Sequence, residues 1–237
     1  MNQHENGNPS MSENMKAFSF VRQILSQPDE LAASLVAEGS GDSFLPPMVG
    51  IAIAGFAIHG LVLGSGRPGL QTVASTLKAP LVPILSLLIT TPLLHTFSLS
   101  VGGTWGLHQT IGLAFVPLAV TALLLAASSP LLLFFGATSD YHFAKILHVG
   151  VTAVFSLYGV LTLLRVLQAM DGPSTALFAV WVLVFFFVSA QMAWILRPFI
   201  GSPDRPFRWI AGRDNQLNFY TAVALSLLAL LTKRSRS

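Results

Sequence analysis

Four of the six histidines fall at positions where they could hold a metal-bound cofactor inside a membrane. His59 lies late in the first long apolar segment and His148 early in the fourth, so alternating helices would bring both near one membrane face. His95 and His108 flank the turn between the second and third segments, near the other face. Two such pairs could ligate two haems and carry electrons across the bilayer. In the alternative, which we adopt, each histidine lies near a helix end, where the polar tip of its side chain reaches water or a carbonyl. This alternative predicts no bound metal and no cofactor.

A second set of polar groups lies inside the apolar segments and could line a path for an ion or a small solute. Prolines within the second and third segments each free a backbone carbonyl, and broken helices can build such sites. The alternative is a packing kink whose freed carbonyls bond to hydroxyls or to a neighbouring helix. The prolines are Pro83, Pro92, Pro117 and Pro130. The polar intramembrane candidates are Thr90, Thr91, His95, Gln109 and Gln191.

A stretch rich in arginine and aromatic residues follows the fifth apolar segment. Such a stretch at a membrane end can bind lipid phosphates or dock a partner subunit. It can also be an ordinary interfacial anchor. The candidate residues for lipid or partner contact are Arg197, Arg205, Arg208, Trp209 and Arg213.

Catalytic motifs are not found in the sequence. Residues 39–42 spell the G-x-G-D of intramembrane aspartyl proteases, but those enzymes need two aspartates that share a proton. Here the match lies in a polar linker, and the next aspartate is Asp140. The motifs H-E-x-x-H, G-x-S-x-G and the P-loop are absent, and the chain has no cysteine. We therefore predict that the protein is not an enzyme.

Apolar helices must position these residues. Hydrophobic residues make up 53% of the chain and charged residues only 10%, whereas a soluble globule carries about 25% charged residues. So few charges cannot cover a water-facing surface of this size, and the apolar side chains must face lipid. The chain has no dense basic face, which excludes nucleic-acid binding. We expect an integral membrane protein whose first partner is the bilayer.

Uncharged runs locate the spans, because charged side chains are costly at the bilayer centre. The run 79–139 greatly exceeds the roughly 20 residues that one helix needs, so it must hold two spans joined by a turn at 100–103. Gly60 and Gly64 form a small-xxx-small pair that packs on a sister helix or on a second chain. The sequence thus predicts an all-α polytopic transmembrane helical bundle of six spans, with five as the alternative. The six spans are 45–64, 79–99, 111–135, 143–164, 175–196 and 217–232.

The flanking segments differ from the bundle, which we place at 44–232. Residues 1–43 form a polar N-terminal tail that contains an amphipathic helix. Its apolar residues between 15 and 25 fall near one helical face, as in helices that lie in the membrane interface. A second helix should begin at Pro28, and 233–237 form a basic C-terminal tail. The Lys and Arg residues leave the orientation open, because their bias depends on whether five or six spans cross.

Two stretches resemble an uncharacterised family of bacterial multi-span membrane proteins. One extends from Leu77 to His148 and includes L-L-I-T-T-P. The other begins at Gln191, contains L-R-P-F-I-G-S-P, and is followed by N-F-Y at 218–220. The family's layout is distantly similar to that of Yip1-type membrane proteins, and the resemblance covers about residues 45–220. It implies a helical membrane fold and a place in the bacterial cytoplasmic membrane.

Three functional hypotheses remain. The first is a non-enzymatic membrane protein that organises the membrane or acts as an accessory or scaffold subunit of a membrane complex. It predicts a tightly packed interior without a polar path. The second is a channel or secondary transporter, which predicts a water-accessible cavity lined by the polar intramembrane candidates. The third is the haem electron carrier described above. We favour the first.

Overall fold

Seven helices make up the part of the chain that the structure, a computed structural model, describes. The described residues are 19–36, 41–66, 69–100, 102, 106–139, 141–170, 175–196 and 209. The helices are α1 (19–26), α2 (Pro28–Val36), α3 (Gly41–Ser65), α4 (Leu70–Ser100), α5 (Leu107–Thr138), α6 (Tyr141–Ala169) and α7 (Thr175–Leu196). The predicted all-α fold is confirmed. The predicted sixth span, 217–232, and the C-terminal tail lie outside the described residues.

Five of these helices are long and apolar enough to cross a bilayer. Their outer surfaces carry large apolar side chains such as Leu88, Ile146 and Leu183, each at least 60% exposed. A continuous apolar surface of this kind is rare on soluble monomers and is suited to lipid. The described helices therefore have the form of a multi-span integral membrane protein. The spanning segments are Phe44–Ser65, Leu70–Ser100, Leu107–Thr138, Ile146–Ala169 and Thr175–Leu196.

α5 is the central helix, because 72% of its span is buried, against 17% of the span of α7. Glycines let the neighbouring helices approach it closely. A Cβ atom at Gly55 of α3 would lie 2.5 Å from the carbonyl oxygen of Ala122, and one at Gly159 of α6 would lie 2.6 Å from that of Pro117. Close backbone approach favours helix association in a bilayer, where lipid is as apolar as the helices themselves.

α3 and α4 pack together through the predicted small-residue pair. A Cβ atom at Gly60 would overlap the carbonyl oxygen of Ser75, and one at Gly64 would lie 2.5 Å from the Cα atom of Thr72. The Thr72 hydroxyl donates a hydrogen bond to the Gly64 carbonyl at 3.0 Å. The glycine pair therefore holds a sister helix within the chain.

α4 begins earlier than predicted, at Leu70 instead of residue 79. It includes Lys78, which the sequence pattern places outside the membrane and which is only 1% exposed in the structure. The uncharged run locates the predicted span and not the ends of the helix, and this helix extends nine residues before the predicted span. Here the amino group donates a hydrogen bond to the carbonyl oxygen of Trp209, which follows α7. A distant acceptor thus allows the charge-bearing side chain to lie within a helix bundle.

α1 and α2 pack on the bundle with their apolar faces. Ile24, Leu31 and Leu35 are at most 1% exposed, and α2 contacts α6, α3 and α5. The second helix begins at Pro28 as predicted. A helix that only lies in the interface would expose one face to lipid headgroups, whereas here Leu31 and Leu35 belong to the main core. The N-terminal helices are therefore part of the protein's folded body.

Candidate functional site

A cavity of about 750 Å³ lies among the five spanning helices. We call it the chamber. Its volume falls within the ~300–1,000 Å³ that is typical of small-molecule sites. Lining residues come from α3 (Phe56, His59, Leu63), α4 (Ala79, Val82, Pro83), α5 (Pro117, Leu118, Thr121, Leu125), α6 (His148, Val149, Thr152, Ala153, Ser156, Val160) and α7 (Phe185, Phe186, Ser189, Ala190, Ala193).

The chamber exists because small side chains occupy the helix faces that surround it. On α6, His148, Thr152 and Ser156 follow one another at four-residue spacing, and on α7 Ser189 and Ala193 do the same. Residues four apart lie on one face of a helix, so each row points inward without filling the interior. α7 packs on α4 and α6 packs on α5, whereas α6 and α7 barely touch each other. Within the described residues, the side between α6 and α7 is thus the least closed.

Among the polar side chains of the chamber, His59 contacts both His148 and Thr152, and Ser189 lines the chamber at a similar depth on α7. We call these four residues the polar corner. The two imidazole rings are 5.4 Å apart between centroids, with their planes at 60°. They are 4% and 5% exposed. His59 Nε2 lies 3.4 Å from Thr152 Oγ1. The corner therefore holds two imidazoles in contact within an otherwise apolar lining.

Three buried atoms of the polar corner have no hydrogen-bond partner in the described part of the chain. They are His59 Nδ1, His148 Nδ1 and Ser189 Oγ. A buried polar atom without a partner costs about 1–3 kcal/mol. Within the described residues, these three atoms are therefore available to hydrogen-bond with a polar group that enters the chamber.

The histidine geometry does not favour haem. His59 and His148 meet as their predicted positions at one membrane face suggest, but the rings touch and leave no space for a planar macrocycle between them. His95 Nδ1 lies 3.0 Å from Thr110 Oγ1, and His108 is exposed in the first turn of α5. Among the described residues, no group of three or more His, Asp or Glu side chains could hold a metal ion. A haem would need the first pair to separate, so this hypothesis gains no support.

The other polar intramembrane candidates lie outside the chamber lining. The hydroxyls of Thr90 and Thr91 donate to carbonyls one turn back in their own helix, at 2.9 and 2.7 Å. The Gln109 side chain accepts a hydrogen bond from the backbone amide of Gly106, the residue that caps its helix, at 3.0 Å and donates to the Leu35 carbonyl at 3.4 Å. Gln191 is half-buried on α7. Within the described part of the chain, the threonines and Gln109 therefore join helices or satisfy backbone groups, and a path lined by these candidates stays a prediction.

Trp209 contacts a buried lysine of α4. Its ring centroid lies 5.2 Å from Lys78 Nζ, within the range of a cation–π interaction, and its carbonyl oxygen accepts a hydrogen bond from the same amino group. Trp209 is 47% exposed, so it can still reach the membrane interface. The remaining candidates of the arginine-rich stretch lie outside the described residues, namely Arg197, Arg205, Arg208 and Arg213.

The ring contact between Lys78 and Trp209 is testable by a double-mutant cycle of Lys78→Met and Trp209→Leu. Both substitutions keep apolar bulk, and the second keeps the backbone carbonyl. We expect a coupling of about 1 kcal/mol in unfolding free energy, because the cycle isolates the interaction of the amino group with the indole ring. Unfolding by denaturant in detergent micelles measures it, and additive single effects would contradict the contact.

No family model, curated protein or solved structure matches the chain. The function must therefore be argued from the chamber and its polar corner. The resemblance to a bacterial membrane protein family stays a prediction, and its L-R-P-F-I-G-S-P signature lies outside the described residues except for Leu196.

Thr152, Ser156 and Ser189 were not among the predicted site residues, although they line the chamber. Their signal in the sequence is the four-residue spacing of small and hydroxyl side chains in helices that are otherwise bulky. Such a row is also typical of close helix packing. The pattern alone therefore does not tell a packed face from a hollow one.

Proposed function

We propose that this chain is a non-enzymatic integral membrane protein that organises membrane lipid by holding a lipophilic molecule in the chamber. The observation that carries the proposal is the chamber itself, an apolar cavity of about 750 Å³ among five spanning helices. The part of its lining that the structure describes contains no Asp, Glu, Lys or Arg side chain. Apolar molecules bind in such concave sites, and a few polar groups set their orientation.

The chamber changes one expectation of this hypothesis. The sequence predicts a tightly packed interior for a lipid-organising protein, whereas the described helices leave a partly open cavity of ligand size, least closed between α6 and α7. Side chains that line such a cavity lack packing contacts on the side that faces it. A lipid tail or similar molecule in the chamber restores those contacts, so binding and folding support each other.

The proposal also includes binding to other membrane proteins. Trp209 is nearly half exposed and lies next to Lys78, so the arginine-rich stretch that contains it remains the surface through which we expect lipid headgroups or a partner subunit to bind. On the strength of the family resemblance, we place the protein in the bacterial cytoplasmic membrane as an accessory or scaffold subunit.

Filling the chamber should remove the bound molecule. We expect the double variant Ser156→Phe, Ala190→Phe to lose at least about 90% of the lipophile that copurifies with the protein, because both side chains line the chamber and two phenyl rings occupy space that the ligand needs. The measurement is mass spectrometry of an organic extract from protein purified in detergent.

A matched control is Val154→Phe, which adds a ring to α6 at a position that is 64% exposed and absent from the chamber lining. This variant should retain the wild-type amount of ligand. Equal ligand content in the filled variant and in Val154→Phe, with both proteins folded, would show that the copurifying lipid binds elsewhere and would sink the proposal.

A secondary transporter is the second candidate, because a hollow interior is what alternating access requires. The apolar lining argues against ions and polar solutes, since an unpaired charge is costly in such a space. Flux into reconstituted vesicles separates the candidates. Substrate-specific flux that the filled variant lacks would favour transport, whereas ligand retention without flux would favour the lipid-organising protein.

A further inference from the structure

The polar corner lies at one end of the chamber. Consecutive spans run in opposite directions, so the end of α3, the start of α6 and the end of α7 share one side of the bundle. His59 lies six positions before the end of α3, His148 lies seven positions after the start of α6, and Ser189 lies seven positions before the end of α7. All three are thus on the order of 10 Å from the same bundle end, given a rise of ~1.5 Å per residue.

The chamber extends from this corner towards the middle of the membrane. Along α6, lining residues continue from His148 to Val160, which spans roughly 18 Å of helix. One leaflet of a bilayer has a hydrocarbon depth of about 15 Å, half of the ~30 Å core. The chamber therefore matches a single chain of leaflet length, with the polar corner where its head would lie.

The chemistry of the corner selects the head group. A neutral imidazole offers one N–H donor and one nitrogen acceptor, and a serine hydroxyl both donates and accepts. The polar corner therefore offers both hydrogen-bond donors and hydrogen-bond acceptors. A hydroxyl is the neutral single-oxygen group that both donates and accepts, whereas a ketone only accepts. A carboxylate or phosphate would bring a charge into the chamber, and no Lys or Arg among the described lining residues would pair with it.

Building on the proposed function, we propose that the chamber binds a single-chain lipophile with a neutral hydroxyl head, which His59, His148 and Ser189 recognise by hydrogen bonds. The atoms that would meet the hydroxyl are the three buried ones without a partner in the described part of the chain. Thr152 supports the arrangement, because its hydroxyl lies 3.4 Å from Nε2 of His59 and thereby orients that ring.

Four probes of equal length test this selection: hexadecanol, hexadecane, hexadecanoic acid and a methyl ketone of the same chain length. Each is added to delipidated wild-type protein in detergent, and the bound amount is measured by gas chromatography after gel filtration. We expect hexadecanol to bind at least about tenfold more tightly than hexadecane, with the acid and the ketone weaker than the alcohol. Equal retention of alcohol and alkane, which is the result if water satisfies the corner, overturns the proposal.

Variants of the corner assign the selection to its residues. Ser189→Ala removes one hydroxyl at little steric cost and should weaken hexadecanol binding by roughly threefold to tenfold, leaving hexadecane unchanged. The double variant His59→Phe, His148→Phe should reduce hexadecanol to the level of hexadecane. If that double variant does not fold, Ser189→Ala still decides the question, because an unchanged ratio of alcohol to alkane in Ser189→Ala overturns the role of the corner.

The outcomes separate this proposal from the one on which it rests. If no probe binds and the filled variant keeps its copurifying lipid, the lipid-organising function itself fails. If all probes bind equally, the chamber binds lipophiles, but the polar corner does not discriminate between their head groups. If the acid binds best, the corner carries positive charge when occupied and the assignment of a neutral head is wrong.

Discussion

Replacement of Trp181 by alanine should detach much of α7 from the bundle. The side chain is 1% exposed, and its indole N–H donates to the Thr90 carbonyl oxygen at 3.0 Å. Its ring stacks on Phe178 and Phe185 at centroid distances of 6.0 and 5.7 Å. These three aromatic residues are the buried ones among the described residues of α7, so the tryptophan supplies a large share of the packing that holds this helix on α4. We expect a loss of about 3–5 kcal/mol in unfolding free energy.

Two variants of the same helix serve as controls in unfolding experiments in mixed micelles. Leu183→Ala removes a large side chain that is 70% exposed, and its effect should stay within about 0.5 kcal/mol. Trp181→Phe keeps the stacked ring but removes the donor to the Thr90 carbonyl, which should cost about 1 kcal/mol. A loss for Trp181→Ala no larger than that for Leu183→Ala would contradict the view that this tryptophan anchors α7.

Replacement of Gly60 by alanine should force α3 and α4 apart. The added methyl group would overlap the carbonyl oxygen of Ser75 and lie 2.7 Å from Cβ of Ala79. A backbone oxygen cannot move aside without the helix that carries it, so the cost is that of overpacking, about 1–3 kcal/mol. His59 is the neighbouring residue, and a displaced α3 should also weaken ligand binding in the chamber.

Gly50→Ala is the matched control, because it makes the same substitution in the same helix at a position with no atom within 4 Å of the added methyl group. Alanine is the better helix former, so this variant should be neutral or more stable by up to about 1 kcal/mol. Thermal unfolding in detergent compares the two. Equal stability changes at the two positions would show that α3 and α4 do not pack through Gly60.

The spans of this protein follow from where charges are absent, and most of their positions were therefore predictable. The fifth predicted span, 175–196, coincides with α7. The helix α4 begins before the predicted span, and Lys78, which bounds the uncharged run, lies inside it. The hydrogen-bond acceptor of Lys78, the carbonyl of Trp209, lies 131 positions further along the chain, so no local sequence pattern predicts this contact.

The site was predictable in part. Counting helix turns places His59 and His148 near one membrane face, and the structure brings their rings together. The chamber beside them was not predicted, because a cavity depends on the distances between packed helices, and the sequence of a single helix does not determine those distances. The N-terminal helix shows the same limit. An amphipathic helix was expected at the membrane interface, and the structure adds that Ile24 packs in the core of the bundle, a contact that helical periodicity does not specify.

The bond between Lys78 and Trp209 bears on the order in which the chain can be assembled. A ribosome adds roughly 5–20 residues per second, so the 131 positions between the two residues take on the order of 10 s to make. During that interval the nascent α4 must reside in the translocon or the membrane before this acceptor exists. The final packing of α4 around Lys78 is therefore completed late, after membrane insertion, once the segment that follows α7 has been synthesised.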